Sequence, residues 1–465
     1  SQRDQINTGH TQYQLRHFIK PSHSIDITTT AYRNSFSRNW YKLDKVFAGD
    51  DGGSTSIAAL LADPERHASA YDIITGAVDS GDDALNVKAN NREYYSRGIQ
   101  SILGMRFDQE TVRHEVEVGL RYHRDEEDRF QWQDQYAMTD GTMKLTTAGT
   151  PGTESNRISQ ATAWAAFLQY RITIGRLALT PGIRYEDIHL QRNDYGKNDP
   201  QRSGDALKLQ SNMVSTFIPG LGVNYRFTKA ISSFVGVHKG FSPPGFREGA
   251  MPEESMNYEI GGRYQQGRDN IQLVFFMNNY SNLLGVDLAA GGGTGSGDLF
   301  NGGAVDVHGM ELSARHDLLR TAGPQNITVP LRLAYTYTDA VFRSDFESDF
   351  GDWGEVRSGD DLPYVAHHQF SIGSGVETGS WGIDFSLRYV GRMRTQAGSG
   401  QIPEGEGTDA QLVLDGVLDY QLTGAARIFL AMRNITDQTY VVARRPAGAR
   451  PGLPRTMLLG LQMSF

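Results

Sequence analysis

Residues 455–465 sort their side chains by alternate position. Met457, Leu459, Leu461, Met463 and Phe465 share one side of an extended segment, while Leu458, Gly460, Gln462 and Ser464 share the other. A repeat of two is the period of a β-strand, whose successive side chains point to opposite faces. The face that carries the last residue is apolar and ends on an aromatic ring. One such strand cannot stand alone in water, so the rest of the chain has to supply its partners.

The same alternation recurs along the whole length. It is present at 12–19, 24–35, 93–107 and 113–124. In the last of these, Val116, Val118, Leu120 and Tyr122 oppose Glu117, Gly119, Arg121 and His123. Trp164, Ala166, Leu168, Tyr170 and Ile172 form another stripe, and Leu177, Leu179, Pro181, Ile183 and Tyr185 the next. Further segments centre on 221–227, 231–237, 256–264, 271–277, 310–314, 327–337, 370–372, 381–389, 412–422 and 428–432. With 455–465 this predicts about 17 strands. Their connections fall into two sets. One is short: 20–23, 108–111, 175–176, 228–229, 266–269, 317–325, 377–380 and 423–424. The other is long and rich in Gly, Asp, Ser and Pro: 37–92, 126–159, 191–211, 241–253, 283–304, 342–363, 397–408 and 437–454. The two sets alternate strictly. A sandwich or propeller has no reason to do this. A transmembrane antiparallel β-barrel does, with tight turns on its periplasmic side and long loops outside.

Composition agrees. Only 38% of the 465 residues are hydrophobic, the mean hydropathy is -0.46, and no apolar run approaches the roughly 18 residues of a membrane helix. A barrel needs apolar side chains only at every second strand position. Cysteine is absent, which removes disulfides and thiolate metal sites. A net charge of -9 gives no footprint for nucleic acid.

Strand parity assigns the faces. Tyr32, Tyr122, Tyr185, Tyr225, Tyr264, Tyr335, Tyr389 and Tyr420 are expected on outward faces, as an interfacial belt. Arg113, Arg121, Arg184, Arg226, Arg263, Arg332, Arg388, Asp384, Asp415 and Asp419 are expected on a polar inner face. If the final strand ends in the periplasm, counting back starts the first strand outside the cell. Bacterial single-chain barrels have even strand numbers, so residues 1–465 are expected to be the C-terminal part of a longer barrel.

Several segments resemble one known family. Asn434-Ile435-Thr436-Asp437-Gln438-Thr439-Tyr440 is similar to the Asn-Leu-Thr/Phe-Asp-x-x-Tyr segment of TonB-dependent outer-membrane receptors. Arg450-Pro451-Gly452-Leu453-Pro454-Arg455-Thr456 resembles the Pro-Gly-x-Pro-Arg segment before their last strand. Phe241-Ser242-Pro243-Pro244, then Pro252-Glu253 and Asn257-Tyr258-Glu259-Ile260-Gly261, looks like their mid-barrel signature, and Gly309-Met310-Glu311-Leu312 their Gly-x-Glu-Leu strand. Arg444-Arg445-Pro446-x-Gly448-x-Arg450-Pro451-Gly452 looks most like the ferric citrate receptor branch. The resemblance implies a barrel of about 22 strands around an N-terminal plug, coupled to TonB ahead of the plug. Neither plug nor coupling box is expected within this segment, nor are about five of the strands. It also implies a bacterial outer-membrane location, a ferric siderophore as ligand, and lipid and lipopolysaccharide as neighbours of a monomer.

No catalytic constellation stands out. There is no Gly-x-Ser-x-Gly elbow and no His-Glu-x-x-His, so the chain is not expected to be an enzyme. His367 and His368 are adjacent in an expected strand. Their rings should point to opposite faces and hold no metal together, and neither a metal site nor a cofactor is expected. Ferric citrate and most carboxylate chelates are anionic, and arginine pairs with carboxylates bidentately. Arg92, Arg121 and Arg184 meet both requirements, an inward face and the extracellular end. Gln100 and His123 are placed to hydrogen-bond, and Arg247, in a loop, to close over the ligand. The family motifs do not carry these six positions. Haem is disfavoured, because the loop at 245–255 contains no histidine. A hydroxamate siderophore, cobalamin or a passive porin-like channel are the alternatives.

Overall fold

The computed structural model describes residues 1–48, 53–286, 299–321, 326–444 and 448–464. Phe465, the Gly-rich run 291–297, Arg445 and Pro446 lie outside the described residues. Among the described residues, seventeen strands of eight residues or more succeed one another, from Gln5–Ser22 to Thr456–Met463. This is the number that the alternation predicts. The short and long connections also alternate as expected, with Gly175-Arg176 and Gly267-Arg268 among the two-residue turns.

The strands reach further than the alternation does. Ile25–Phe47, Leu85–Gln109 and Val112–Thr139 have 23, 25 and 28 residues. A tilted strand crosses a bilayer in about 9–11 residues. The surplus stands on the long-loop side, where both faces are polar and nothing requires a period of two. That is why 37–92 reads as one loop, although paired strand fills both its ends.

Two compact units are resolved. The first comprises Ser1–Ile172, Pro181–Pro219 and Phe241–Pro252. In it, Gln5–Ser22, Ile25–Phe47, Leu85–Gln109 and Val112–Thr139 pair antiparallel in succession. The connection after Phe47 adds two helices. Ser56 Oγ accepts the Ala59 N–H at 3.1 Å to start Ile57–Ala62. Ala68–Thr75 stops at Gly76, whose φ of +78° only glycine adopts without strain. A side chain at Gly76 would also meet the Gly141 backbone at 2.9 Å. Leu60, Ala70 and Ile73 close an apolar core with Leu43, Val46, Leu85, Val87, Met138 and Met143.

The second unit comprises Thr173–Thr180, Gly220–Gly240 and Glu253–Phe465. From Glu253–Gln266 to Thr456–Met463 each long strand pairs antiparallel with the next. The acidic connection 342–363 is no bare solvated loop. Phe346–Ser348 and Gly354–Val356 form a hairpin over a core of Val305, Phe342, Trp353 and Val356.

One face of the strands is apolar and open. Leu15, Met213 and Leu459 are 72%, 70% and 69% exposed, which in water would be an aggregation surface and in lipid is the stable arrangement. Tyr122 packs on Trp164, Tyr185 on Phe217 and Tyr225 on Phe227 along this face. Tyr264 pairs with Ile271, Tyr335 and Tyr389 with Phe370, and Tyr420 with Trp381. The opposite face carries ion pairs such as Arg332–Asp384 and Arg427–Asp419.

Two expectations are corrected. Tyr32 is a cross-strand partner of Gly98, and Gly98 of His123. Direct partners share a face, so Tyr32 lies on the polar side, not in the belt. His367 and His368 do not oppose each other either. The strand begins at His368, His367 precedes it, and both rings lie against Tyr337, at 6.5 and 5.3 Å between centroids.

Candidate functional site

The polar face of the first unit carries two tiers of arginine. Cross-strand register builds both. In the tier nearer the tight turns, Thr30, Gln100 and Arg121 are successive partners, and Tyr32, Gly98 and His123 form the next row. Gly98 is bare for a reason: a Cβ there would lie 2.4 Å from the Tyr32 hydroxyl and 2.6 Å from the Tyr122 carbonyl oxygen. Tyr32 therefore extends across Gly98 to the strand Val112–Thr139.

There it joins a chain of hydrogen bonds. Arg121 Nη2 donates to the Tyr32 hydroxyl at 3.0 Å, and that hydroxyl lies 2.6 Å from His123 Nδ1. With its oxygen accepting from arginine, the hydroxyl donates its proton to Nδ1. The remaining ring proton then sits on Nε2, which lies 3.3 Å from Asp125 Oδ2. Arg121 is half-buried and its Nε has no hydrogen-bond partner. Among the described residues it makes no ion pair. The chain of hydrogen bonds that starts at Arg121 ends on the carboxylate of Asp125.

The second tier lies nearer the long connections. Arg38, Arg92 and Arg129 are direct cross-strand partners. Like charges so placed repel, and Glu127 holds two of them together. Arg92 Nη1 donates to Glu127 Oε1 at 2.9 Å, and Arg129 Nε to Oε2 at 2.8 Å. Arg92 Nε also donates to Asn90 Oδ1 at 2.9 Å. Arg92 and Arg129 are 6% and 5% exposed.

The six expected residues therefore do not form one site. Gln100, Arg121 and His123 come together. Arg92 stands eight residues further along its strand than Gln100, about 27 Å at 3.4 Å per residue. Arg184 is engaged by its own strand: Nε and Nη2 lie 2.6 and 2.5 Å from Glu186 Oε1. Arg247 is exposed on a turn whose Ala250 N–H donates to the Arg247 carbonyl at 3.0 Å. That turn is pinned, because Asn212 Nδ2 donates to the Gly245 and Ala250 carbonyls at 3.0 and 3.2 Å. Tyr32, Asp125, Glu127, Arg129 and Arg38 were missing from the sequence-based set. Parity alone could have placed Arg129 and Glu127 on the face of Arg121. Tyr32 needed the register.

Known proteins give the frame. Residues 1–435 match the family described as TonB dependent receptor-like, beta-barrel. A pesticin receptor of Yersinia enterocolitica is 24% identical over 280 residues, 57% of this chain and 37% of that protein. The chain thus spans little more than a third of the curated relatives it matches. Among solved structures, the siderophore receptor PiuA from Acinetobacter baumannii superposes with a TM-score of 0.73 at 14% identity, over 99% of this chain and 65% of that one. The ferric-catecholate import receptor Fiu from E. coli K12 gives 0.71 at 16%, over 100% and 65%. The ferric citrate transporter FecA gives 0.70 at 18%, over 99% and 62%. At such identities the likeness is one of fold. A catecholate receptor and a citrate transporter fit equally well, so the backbone does not choose between their ligands.

Proposed function

Since the chain belongs to the TonB-dependent receptor β-barrel family, we propose that it captures an anionic ferric chelate bearing carboxylates, ferric citrate being the model ligand, at the Arg121 shelf. Proteins of this family and fold are receptors and transporters, not enzymes, and their ligand is cargo, not a cofactor. Outer-membrane insertion, import driven through TonB, and a plug carried outside residues 1–465 belong to the same proposal.

The observation that carries it is Arg121, a half-buried guanidinium without a carboxylate, held by Tyr32 on the polar face of the barrel wall. An arginine in a structural network has its partner already, as Arg184 has Glu186. An arginine without one, steadied by a neutral hydroxyl, presents its remaining donors to a carboxylate in fork geometry. Gln100, its direct partner, adds amide donors beside it. Arg92 and Arg129 share a carboxylate already and are less available.

The test is ferric citrate binding to the intact receptor, followed by quenching of tryptophan fluorescence, with haem and a hydroxamate chelate as controls. Saturable binding of ferric citrate, weakened at least tenfold by Arg121→Ala and unchanged by Arg184→Ala, is the expected result. Tight binding of another chelate alone keeps the receptor class and discards the carboxylate ligand. No binding of any chelate points to a passive channel.

A further inference from the structure

We propose that Asp339, Asp361 and His367, in the second unit, form a site for one divalent transition-metal ion of the zinc class, with His308 beside Asp339 as a neighbour that orients its carboxylate. The four side chains come from three stretches of chain. His308 and Asp339 are direct partners between the strands Val305–Arg320 and Thr328–Phe342, with His308 Nε2 3.4 Å from Asp339 Oδ2. On the other side of Asp339 the chain returns antiparallel. Asp361 bridges Val341, the Leu362 N–H donates to the Ala340 carbonyl at 2.9 Å, and the Thr338 N–H donates to the His367 carbonyl at 3.1 Å.

Between those two attachments the chain arches away, with Tyr364 in the left-handed region at φ +60°. The Tyr364 N–H donates to the Arg394 carbonyl at 2.8 Å and holds the arch. Its consequence is that Asp361 and His367, six positions apart, flank a single carboxylate. One ligand atom each from Asp339, Asp361 and His367 lie within 4.8 Å of one another. Around an ion with bonds of about 2.0–2.2 Å, closure needs each side chain to move by only about 1 Å.

The surroundings orient the ligands. His367 Nδ1 lies 3.1 Å from the Thr338 carbonyl oxygen. The same Nδ1 lies 3.9 Å from Asp339 Oδ1, so it is the ring nitrogen that faces the carboxylates, and an ion bound there would replace its contact with the carbonyl. Arg394 Nε lies 3.1 Å from Asp361 Oδ2, which fixes that carboxylate and leaves Oδ1 to the ion. Two carboxylates and one guanidinium give a net negative pocket that a dication overcompensates by one charge. An imidazole donor among the ligands suits zinc-like ions better than magnesium, which takes oxygen ligands and keeps its waters. The site lies two residues beyond Tyr337, on the apolar side of the strands and towards the long connections. There an ion would rivet the segment 361–367 to the strand wall.

The experiment is calorimetric titration of Zn2+ into the intact, untagged, chelator-stripped receptor, with Mg2+ in parallel. One Zn2+ per chain is expected, at least tenfold weaker in Asp339→Asn and in His367→Ala and several-fold weaker in His308→Ala, with unchanged far-UV circular dichroism. Zn2+ should also raise the melting temperature of the parent protein and not of His367→Ala. His367 is exposed, so that variant folds even if Asp339→Asn does not. No saturable Zn2+ binding, binding of equal strength in His367→Ala, or Mg2+ binding as tight as Zn2+ overturns the proposal.

Discussion

The two arginine tiers of the first unit look alike in sequence and differ in chemistry. Around Arg92 and Arg129 a carboxylate is shared, the guanidinium groups are nearly buried, and each has a partner that would be costly to lose. Around Arg121 the partner is a tyrosine hydroxyl, and the hydrogen-bond chain reaches a carboxylate only beyond a histidine. The first arrangement holds strands together. The second stores an unanswered charge, which is what a site for an anion requires. Similar arginines, eight residues apart on neighbouring positions of one wall, are thus assigned to structure and to capture by their neighbours alone.

The largest expected effect is at the buried tier. Glu127→Ala strips both Arg92 and Arg129 of their shared carboxylate, and the loss of a buried charge partner should cost about 3 kcal/mol or more. A lowered melting temperature of the detergent-solubilised protein would register it, and no change would mean that water reaches this tier. Next comes Gly98→Ala. The added methyl meets both a hydroxyl and a backbone carbonyl, so a cost of about 1–3 kcal/mol is expected, together with loss of chelate binding as Tyr32 is displaced. Arg121→Ala should leave the melting temperature nearly unchanged and cost binding about 1.4 kcal/mol, the equivalent of tenfold. If it destabilises the fold as much as Glu127→Ala does, the distinction between the tiers fails. Tyr32→Phe removes one hydroxyl from the chain and should weaken chelate binding by about 1 kcal/mol, read in the same titration.

The smallest effect concerns the connection 195–207, which docks beside the buried tier. Arg202 grips Asp128 with Nη1 and Nη2 at 2.9 and 2.5 Å. Asp199 accepts the Gly204 and Ser203 N–H groups, each at 2.8 Å, and these backbone donors hold its carboxyl below the usual carboxylate range. A depressed folded value means that the stabilisation is complete above the ordinary carboxylate value of about 4 and is lost as pH falls through the depressed one. Hydrogen exchange in 195–207 should therefore stay slow down to about pH 4 and quicken below it. Quickening near neutral pH would show that Asp199 does not hold the loop.

The sequence by itself determined the number of long strands, their antiparallel order, the alternation of tight and long connections, and, Tyr32 apart, which tyrosines face away from the polar wall. All of these follow from a period of two and from turn chemistry, which are local. It also brought Gln100, Arg121 and His123 to one face, because parity is conserved along an unbroken strand. What it missed lies between strands. Tyr32 counts as a belt residue until register sets it opposite Gly98, and Arg184 counts as free until Glu186 is seen to hold it. Strand ends beyond the apolar band carry no alternation, so 37–47 and 85–92 vanish into a loop. The arch at Tyr364, which sets His367 beside Asp339, depends on a positive φ at a tyrosine that no local pattern announces. Only the tertiary structure decided those matters, because cross-strand register couples residues some 60 to 90 positions apart, and no local rule reaches that far.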